Sequence, residues 1–263
     1  MPITNVTYKL IQEIKNAGIF PPAPHMLEIG ESNWYGDVPF EQLAQDINRI
    51  VPAENARTFL TGEFERCVSR LREAGLSNAA SFDLSRVFYK AFLDYESYTA
   101  IDLSGSSTAL KLDLNKPVSL DRRYDVTISF GTAEHVFNVY QFFRTLHEVT
   151  GPGGVIIISS PFQGWVDHGF YNFQPTFYYD LAAANGYDFL LLLYAKANAN
   201  GWLQIHNREH VSELAEQGAF SGNGTLFSTF RKPVDEKPFS TPMQGYYNHT
   251  VSRAVADAWQ NNR

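Results

Sequence analysis

The spacing of apolar residues predicts alternating helices and strands along most of the chain. An amphipathic helical pattern covers residues 6–19 and stops before two consecutive prolines. The short apolar run 25–30 then ends in glycine, which is typical of a buried parallel strand. Helices are expected over most of 37–97, the last of them beginning at Asp83 as its N-cap residue.

The same alternation continues in the second half of the sequence. The runs 98–103, 124–130 and 155–160 are short and apolar, so they predict three more strands. We expect one helix to be capped by Thr132 and another to begin at Pro175, because proline suits the first turn of a helix. The remaining pattern predicts strands over 187–197, 202–206 and 225–230 and a short helix near 251–260.

Strands that alternate with helices favour an α/β fold of the doubly wound type, with a mainly parallel sheet covered by helices on both faces. The sequence contains no internal repeat and no linker-like segment, so we expect a single domain over residues 1–263. Residues 37–97 are interpreted as a helical insertion after the first strand and 232–263 as a C-terminal tail. The last strands are expected to include an antiparallel pair.

Composition narrows the class of protein further. A net charge of −7 does not predict a broad basic surface for nucleic acid, and one cysteine, Cys67, excludes an internal disulfide. The most apolar run, 189–194, is too short to cross a bilayer, and charged residues in the first helix argue against a secretory signal. We therefore expect a cytoplasmic protein that binds neither nucleic acid nor membranes, while no pattern specifies an oligomeric state.

Three carboxylates stand at or near the ends of apolar runs. Glu28 comes shortly before Gly30, and Asp102 and Asp113 follow the next two runs. Because the carboxyl ends of parallel strands lie at one edge of a sheet, we expect the three acids to converge on a ligand there. Each also has a structural alternative: Glu28 can bond to loop amides, Asp102 can cap the following turn, and Asp113 can be a turn aspartate.

The three acids together fit S-adenosylmethionine better than a dinucleotide. Carboxylates complement the ribose hydroxyls, the adenine amine, the ammonium group and the sulfonium of this cofactor. A dinucleotide would instead need hydrogen-bond donors for its pyrophosphate. The loop after Gly30 lacks the G-x-G-x-x-G pattern, and Glu31 within it would repel a pyrophosphate.

On these motifs, the sequence resembles the Rossmann-like S-adenosylmethionine-dependent methyltransferases. The matching segments occur in the order of that family over roughly residues 22–190, and they are 27–30, 100–103, 112–114, 124–136 and 151–155. The stretch 168–177 is similar to a group of bacterial methyltransferases. The resemblance implies S-adenosylmethionine as cofactor, held by Glu28, Gly30, Ser32, Asn33, Asp102, Leu103, Asp113, Leu114, Phe130, Gly131 and Thr132.

The sequence departs from the family pattern in its loops. Only the first glycine of the usual glycine-rich loop is present, so Ser32 and Asn33 are expected to serve in its place. The interval between Asp102 and Asp113 is too short for a parallel crossover helix. We therefore expect the third strand to be degraded, or to pair antiparallel across the turn 104–107.

The pair Glu134–His135 raises the question of a metal, since some relatives bind magnesium through two glutamates and this histidine. Gly131 stands where the first glutamate would be, and two adjacent ligands are too few for a dedicated site. We therefore expect no metal, and we interpret Glu134 and His135 as supports for the helix start and the pocket wall.

The acceptor side of the site is expected in the aromatic loop that follows the run 155–160. His168 is the candidate base for a hydroxyl acceptor, and the structural alternative is that it only bonds to loop backbone. Gln163, Tyr171 and Asn172 are candidate substrate contacts.

We therefore expect in-line methyl transfer to a small molecule, such as a sugar or a natural-product intermediate. Two alternatives stay open at this point. One is an NAD-dependent oxidoreductase or sugar-modifying enzyme on a similar sheet. The other is a methyltransferase-like binding protein without turnover.

Overall fold

The computed structural model describes residues 2–76 and 79–261. The chain forms two compact units, Met1–Leu112 (unit 1) and Asp113–Arg263 (unit 2). Within the described residues, every helix is too short or too polar to cross a lipid bilayer. The interpretation of the whole chain as a single domain stays a prediction.

Unit 1 contains short parallel strands and a run of helices. Its elements in chain order are β1 (Pro2–Ile3), α1 (Asn5–Asn16), β2 (His25–Ile29), β3 (Asn33–Trp34), α2 (Phe40–Ile50), α3 (Glu54–Ala74), α4 (Ala79–Leu93) and β4 (Ser97–Ile101). Strands β2 and β4 pair in parallel with Ile29 opposite Ile101, so the two strands end at the same edge. Strands β1 and β3 form a second parallel pair of two residues each.

The helices of unit 1 follow from their apolar spacing and caps. Helix α1 begins after Thr4, whose hydroxyl accepts a hydrogen bond from the backbone of Thr7 in a reciprocal capping box. Helices α2 to α4 lie between β2 and β4, where a helical insertion is expected. The prediction that Asp83 is an N-cap is wrong, because α4 already includes the buried residues Ala80 and Ser81 and thus starts earlier.

The third predicted strand of unit 1 is reduced to a single bridge. The backbone N–H of Leu110 donates to the carbonyl of Ala100 at 2.8 Å, and the N–H of Asp102 donates to the carbonyl of Leu110 at 3.1 Å. The bridge between Ile101 and Leu110 is parallel. The prediction of a degraded third strand is therefore confirmed. The antiparallel alternative is wrong, because the loop between Ile101 and Leu110 brings the chain back so that it runs in the same direction as β4.

Unit 2 combines one parallel strand pair with antiparallel strands. Its elements are β5 (Tyr124–Phe130), a 3₁₀ turn (Ala133–His135), α5 (Val139–Val149), β6 (Thr150–Gln163), α6 (Pro175–Asn185), β7 (Asp188–Lys196), β8 (Leu203–Gln204), α7 (Arg208–Glu216), β9 (Gly224–Arg231) and α8 (Arg253–Asn261). The strand order is β5-β6-β9-β7-β8. Strand β5 pairs with β6 in parallel, and the remaining pairs are antiparallel. The predicted α/β class, with parallel strands followed by antiparallel C-terminal ones, is confirmed.

Local turn chemistry explains the helix ends of unit 2. Pro175 occupies the first turn of α6, and Gly186 ends this helix at φ +66°, a left-handed conformation that favours glycine. The prediction that Thr132 caps the preceding helix is wrong. A 3₁₀ turn follows Thr132, and α5 begins only after Asn138, whose side chain accepts a hydrogen bond from the N–H of Gln141 at 3.2 Å.

Candidate functional site

Glu28, near the end of β2, is fully buried and is bound by residues of its own unit. Its carboxylate accepts hydrogen bonds from the Ser32 hydroxyl at 2.5 Å, the Ser32 N–H at 3.2 Å and the Tyr98 hydroxyl. The Tyr89 hydroxyl lies 3.0 Å from that of Ser32 and completes the network. Burial raises the pKa of Glu28, and these donors partly offset the rise. The side chain thus has internal partners without a ligand.

Asp102 follows directly after β4 and keeps unused acceptor capacity. Its Oδ2 accepts a hydrogen bond from the N–H of Glu31 at 2.9 Å, and its Oδ1 accepts one from the N–H of Ser104 at 2.7 Å. The residue is half-buried. A carboxylate offers about four acceptor positions on its two oxygens, so each oxygen of Asp102 can take a further donor.

A buried ion pair fixes the loops around Asp102. Glu31 is buried and bound by the guanidinium of Arg86, which also donates to the hydroxyls of Ser106 at 2.6 Å and Thr108 at 2.7 Å. The N–H of Ser106 donates to Glu31 at 2.6 Å. A Cβ atom on Gly105 would lie 2.6 Å from Oε2 of Glu31, so only glycine permits this approach. From the sequence, Glu31 is predicted only to repel a pyrophosphate, and its role in this ion pair is not apparent.

The other predicted cofactor residues of unit 1 follow Glu28 or Asp102 closely in the sequence. Gly30 has φ +85° and donates its N–H to the carbonyl of Ile101 at 2.8 Å, which ties the ends of β2 and β4 together. Ser32 points to Glu28, as described, and Asn33 enters β3. Leu103 is exposed beside Asp102. Cofactor binding by these residues stays a prediction.

In unit 2, Asp113 forms a local turn with the residues that follow it. Its Oδ1 accepts hydrogen bonds from the backbone N–H of Asn115 at 3.0 Å and from the Asn115 side chain at 2.9 Å, which lower the pKa of Asp113. Asn115 in turn accepts a hydrogen bond from the N–H of Asn138 at 2.9 Å, and its carbonyl accepts one from the Asn138 side chain at 3.1 Å. Leu114 is buried.

The end of β5 carries the remaining predicted cofactor residues. Phe130 is buried and pairs in register with Ser159 of β6. Gly131 has φ +66°, and its N–H donates to the carbonyl of Ser159 at 2.8 Å. Thr132 then leads into the 3₁₀ turn. The contacts of these residues with a sulfonium stay a prediction.

The 3₁₀ turn brings Glu134 and His135 next to His168. The Nε2 atoms of both histidines lie 3.9 Å from Oε1 of Glu134. The carboxylate is only 2% exposed, whereas the imidazoles of His135 and His168 are 47% and 42% exposed. Burial raises the pKa of Glu134 to about 7, and burial followed by the neighbouring His168 lowers the pKa of His135. Unit 2 thus places two imidazoles around one buried carboxylate.

Backbone contacts hold His168 in this position. The N–H of Phe170 donates to the carbonyl of Glu134 at 2.7 Å, and the N–H of His168 donates to the carbonyl of Trp165 at 3.1 Å. A Cβ atom on Gly169 would lie 2.9 Å from the Glu134 carbonyl, so the loop approaches Glu134 closely at a glycine. In the sequence, the pair Glu134–His135 and His168 are far apart and are interpreted separately. Both segments follow strands that pair in parallel, β5 and β6, and this pattern could have predicted that they lie close together.

The three predicted substrate contacts differ in what they bind within the chain. The Tyr171 hydroxyl donates to the carbonyl of Phe137 at 2.8 Å, and the Asn172 side chain donates to the carbonyl of Gly164 at 2.9 Å. Gln163 ends β6 with its side chain exposed. Substrate binding by Gln163, Tyr171 and Asn172 stays a prediction.

Comparison with known proteins finds similarity in structure only. No family model and no curated protein matches the sequence. The chain is similar to the N-methyltransferase NodS from Bradyrhizobium japonicum, solved with S-adenosyl-L-homocysteine, at 10% identity and a TM-score of 0.40, covering 86% of this chain and 85% of that one. It is similar to an S-adenosylmethionine-dependent methyltransferase from Mesorhizobium loti at 13% identity and a TM-score of 0.37, covering 84% and 98%.

A further neighbour is the cyclase SpnF, at 13% identity and a TM-score of 0.42, covering 87% of this chain and 81% of that one. Other similar solved structures are also named as methyltransferases or putative methyltransferases, at identities of 9 to 16% and TM-scores of 0.37 to 0.44.

Proposed function

We propose that the chain is an S-adenosylmethionine-dependent methyltransferase that acts on a small-molecule acceptor. The proposal rests on the hydrogen bonding of the Asp102 carboxylate. Its two oxygens each hold one backbone donor and each retain room for another, at the edge where β2 and β4 end. This arrangement suits the two adjacent hydroxyls of a ribose.

The cofactor supplies an electrophilic methyl group, and the protein aligns the reacting atoms and excludes water. We assign the ribose to Asp102, the methionine part to the Glu28–Gly30 segment and the adenine to Asp113 and Leu114. Since Glu28 already has three donors around it, its part is to hold the loop after β2 in shape. Phe130, Gly131 and Thr132 are assigned to the sulfonium side.

The acceptor is assigned to the loop that carries His168. Phe170 of this loop and Phe137 are both exposed, and their rings meet edge to face at 5.7 Å. Such a pair offers an apolar surface to an organic acceptor beside the polar groups of His168. A sugar or natural-product intermediate fits this mixture better than a nucleic acid, since the net charge is −7.

A titration with S-adenosylhomocysteine tests the cofactor assignment. Calorimetry on the wild-type protein should show saturable binding, and Asp102→Asn should weaken it by at least about tenfold, because an amide replaces one acceptor by a donor. Asp94→Asn is the matched control, since Asp94 is an exposed aspartate of the same unit. Binding of NAD in place of S-adenosylhomocysteine, or equal affinity in all three proteins, would contradict the proposal.

Turnover is tested separately from binding. The wild-type protein, incubated with S-adenosylmethionine carrying a labelled methyl group and a library of sugars and natural-product intermediates, should label one class of acceptor. A binding protein without activity would bind S-adenosylhomocysteine and label none of them.

A further inference from the structure

We infer that Glu134, His135 and His168 form a binding site for a divalent transition metal ion. Each residue offers one ligand atom, and the three atoms all lie within 4.8 Å of one another. The site belongs wholly to unit 2, at the 3₁₀ turn after β5 and the loop after β6. The inference goes beyond the proposed function, because it concerns a ligand other than the cofactor.

The buried carboxylate of Glu134 is the first argument for a ligand. Its Oε2 atom is buried and has no hydrogen-bond partner among the described residues. A carboxylate that is removed from water without a partner is costly, so the unfilled position of Oε2 needs an explanation. A cation between Glu134 and the two imidazoles would supply the missing partner.

The distances are the second argument. Bonds of about 2.0 to 2.2 Å from one ion place its ligand atoms roughly 3 to 3.5 Å apart. Both imidazole Nε2 atoms lie 3.9 Å from Oε1 of Glu134, so a small inward rotation of each ring completes the geometry. Both imidazole rings are partly exposed to solvent, whereas the backbone beneath His168 is held by the bond from Phe170 to Glu134.

The ligand types indicate which metals fit. Two imidazole nitrogens and one carboxylate favour zinc, manganese, iron or cobalt, while magnesium and calcium prefer oxygen ligands throughout. Three protein ligands also leave coordination positions open for water or for an oxygen of another molecule. The sequence offers only two adjacent ligands, from which we expect no metal, and His168 is the third ligand in the structure.

A metal changes the role of His168. An imidazole nitrogen that is bound to an ion cannot take a proton, so His168 would be a ligand rather than the base. In its place, the ion would lower the pKa of a hydroxyl bound to it. This part rests on the proposed function: the acceptor would then be a compound with a hydroxyl that reaches the ion.

Cobalt binding to the full-length, tag-free protein tests the site without the cofactor. After treatment with a chelator, the wild-type protein should bind one Co²⁺ per chain, with visible absorption bands and with Kd below about 100 µM. His168→Ala and Glu134→Gln should each weaken binding by at least about tenfold. His210→Ala is the control, because His206 and His210 also stack at 5.0 Å but lie outside the cluster.

Circular dichroism and thermal unfolding establish that each variant is folded. If Glu134→Gln does not fold, the exposed residue His135 provides the replacement variant His135→Ala, with the same expected loss. Absence of Co²⁺ binding by the wild-type protein, or equal losses in His210→Ala and His168→Ala, would overturn the inference. Titration of the same samples with S-adenosylhomocysteine reports on the proposed function independently of the metal.

Discussion

The Nε2 atom of His168 lies 3.9 Å from Oε1 of Glu134, although the two residues belong to different loops. The backbone bond from Phe170 to the Glu134 carbonyl and the absence of a side chain at Gly169 make this approach possible. Main-chain contacts therefore hold the backbone of His168 close to Glu134.

Gly169→Ala should separate His168 from Glu134. The new Cβ atom would lie 2.9 Å from the Glu134 carbonyl and 3.1 Å from its Cβ, so the loop has to move. We expect Co²⁺ affinity to fall by at least about tenfold and the protein to remain folded. Gly201→Ala is the matched control, since a Cβ atom there meets nothing within 4 Å. Unchanged Co²⁺ affinity in Gly169→Ala would show that the close contact is unimportant.

Arg86→Ala should destabilise unit 1, because it leaves the buried carboxylate of Glu31 without its cation. Removal of one partner of a buried pair costs about 3 to 5 kcal/mol. Arg66→Ala removes a comparable pair, to Glu63, but its guanidinium side chain is 63% exposed against 22% for Arg86. We expect the control to lose no more than about 1 kcal/mol. Urea unfolding at pH 7 measures both values, and similar losses would refute the argument.

Glu28→Gln should change how stability depends on pH. Burial raises the pKa of Glu28, so between its ordinary value near 4.5 and the raised value the folded protein holds a proton that the unfolded chain has released. The contribution of Glu28 to the free energy of unfolding is therefore greatest below pH 4.5 and falls as the pH rises. Glutamine does not ionise, so as the pH rises above about 5 the variant should lose less stability than the wild type, as measured by thermal unfolding. Parallel curves would contradict the prediction.

Lys232→Met should destabilise unit 2. The buried ammonium group donates to the carbonyls of His147 at 2.8 Å and Thr150 at 2.9 Å. Methionine fills a similar volume but leaves both acceptors without this donor, for an expected loss of about 2 to 4 kcal/mol. Lys237→Met, at an exposed position of the same segment, should change the free energy of unfolding by less than about 0.5 kcal/mol. Denaturant unfolding distinguishes the two.

Local patterns were sufficient to predict most elements of the fold. The apolar runs before Gly30 and Gly131 form β2 and β5, and Pro175 and Gly186 bound α6, because these signals depend on a few neighbouring residues. The wrong cap at Thr132 has a local cause as well, since a 3₁₀ turn intervenes before the helix.

The candidate site was less accessible to sequence analysis. The bond from Tyr98 to Glu28 and the pairing of Arg86 with Glu31 join residues that are far apart in sequence. Such contacts depend on where the loops place their side chains, and periodicity carries no information about this. The acids at strand ends were identifiable, but their internal partners were not.

Asn115 links the Asp113 turn to the start of α5 within unit 2. It donates to Asp113 through both its main chain and its side chain, and it accepts two hydrogen bonds from Asn138, the residue that starts α5. A ligand that rearranges the Asp113 turn would therefore also disturb the hydrogen bonds at the beginning of α5. Binding of a ligand at Asp113 would in this way affect the segment that follows His135.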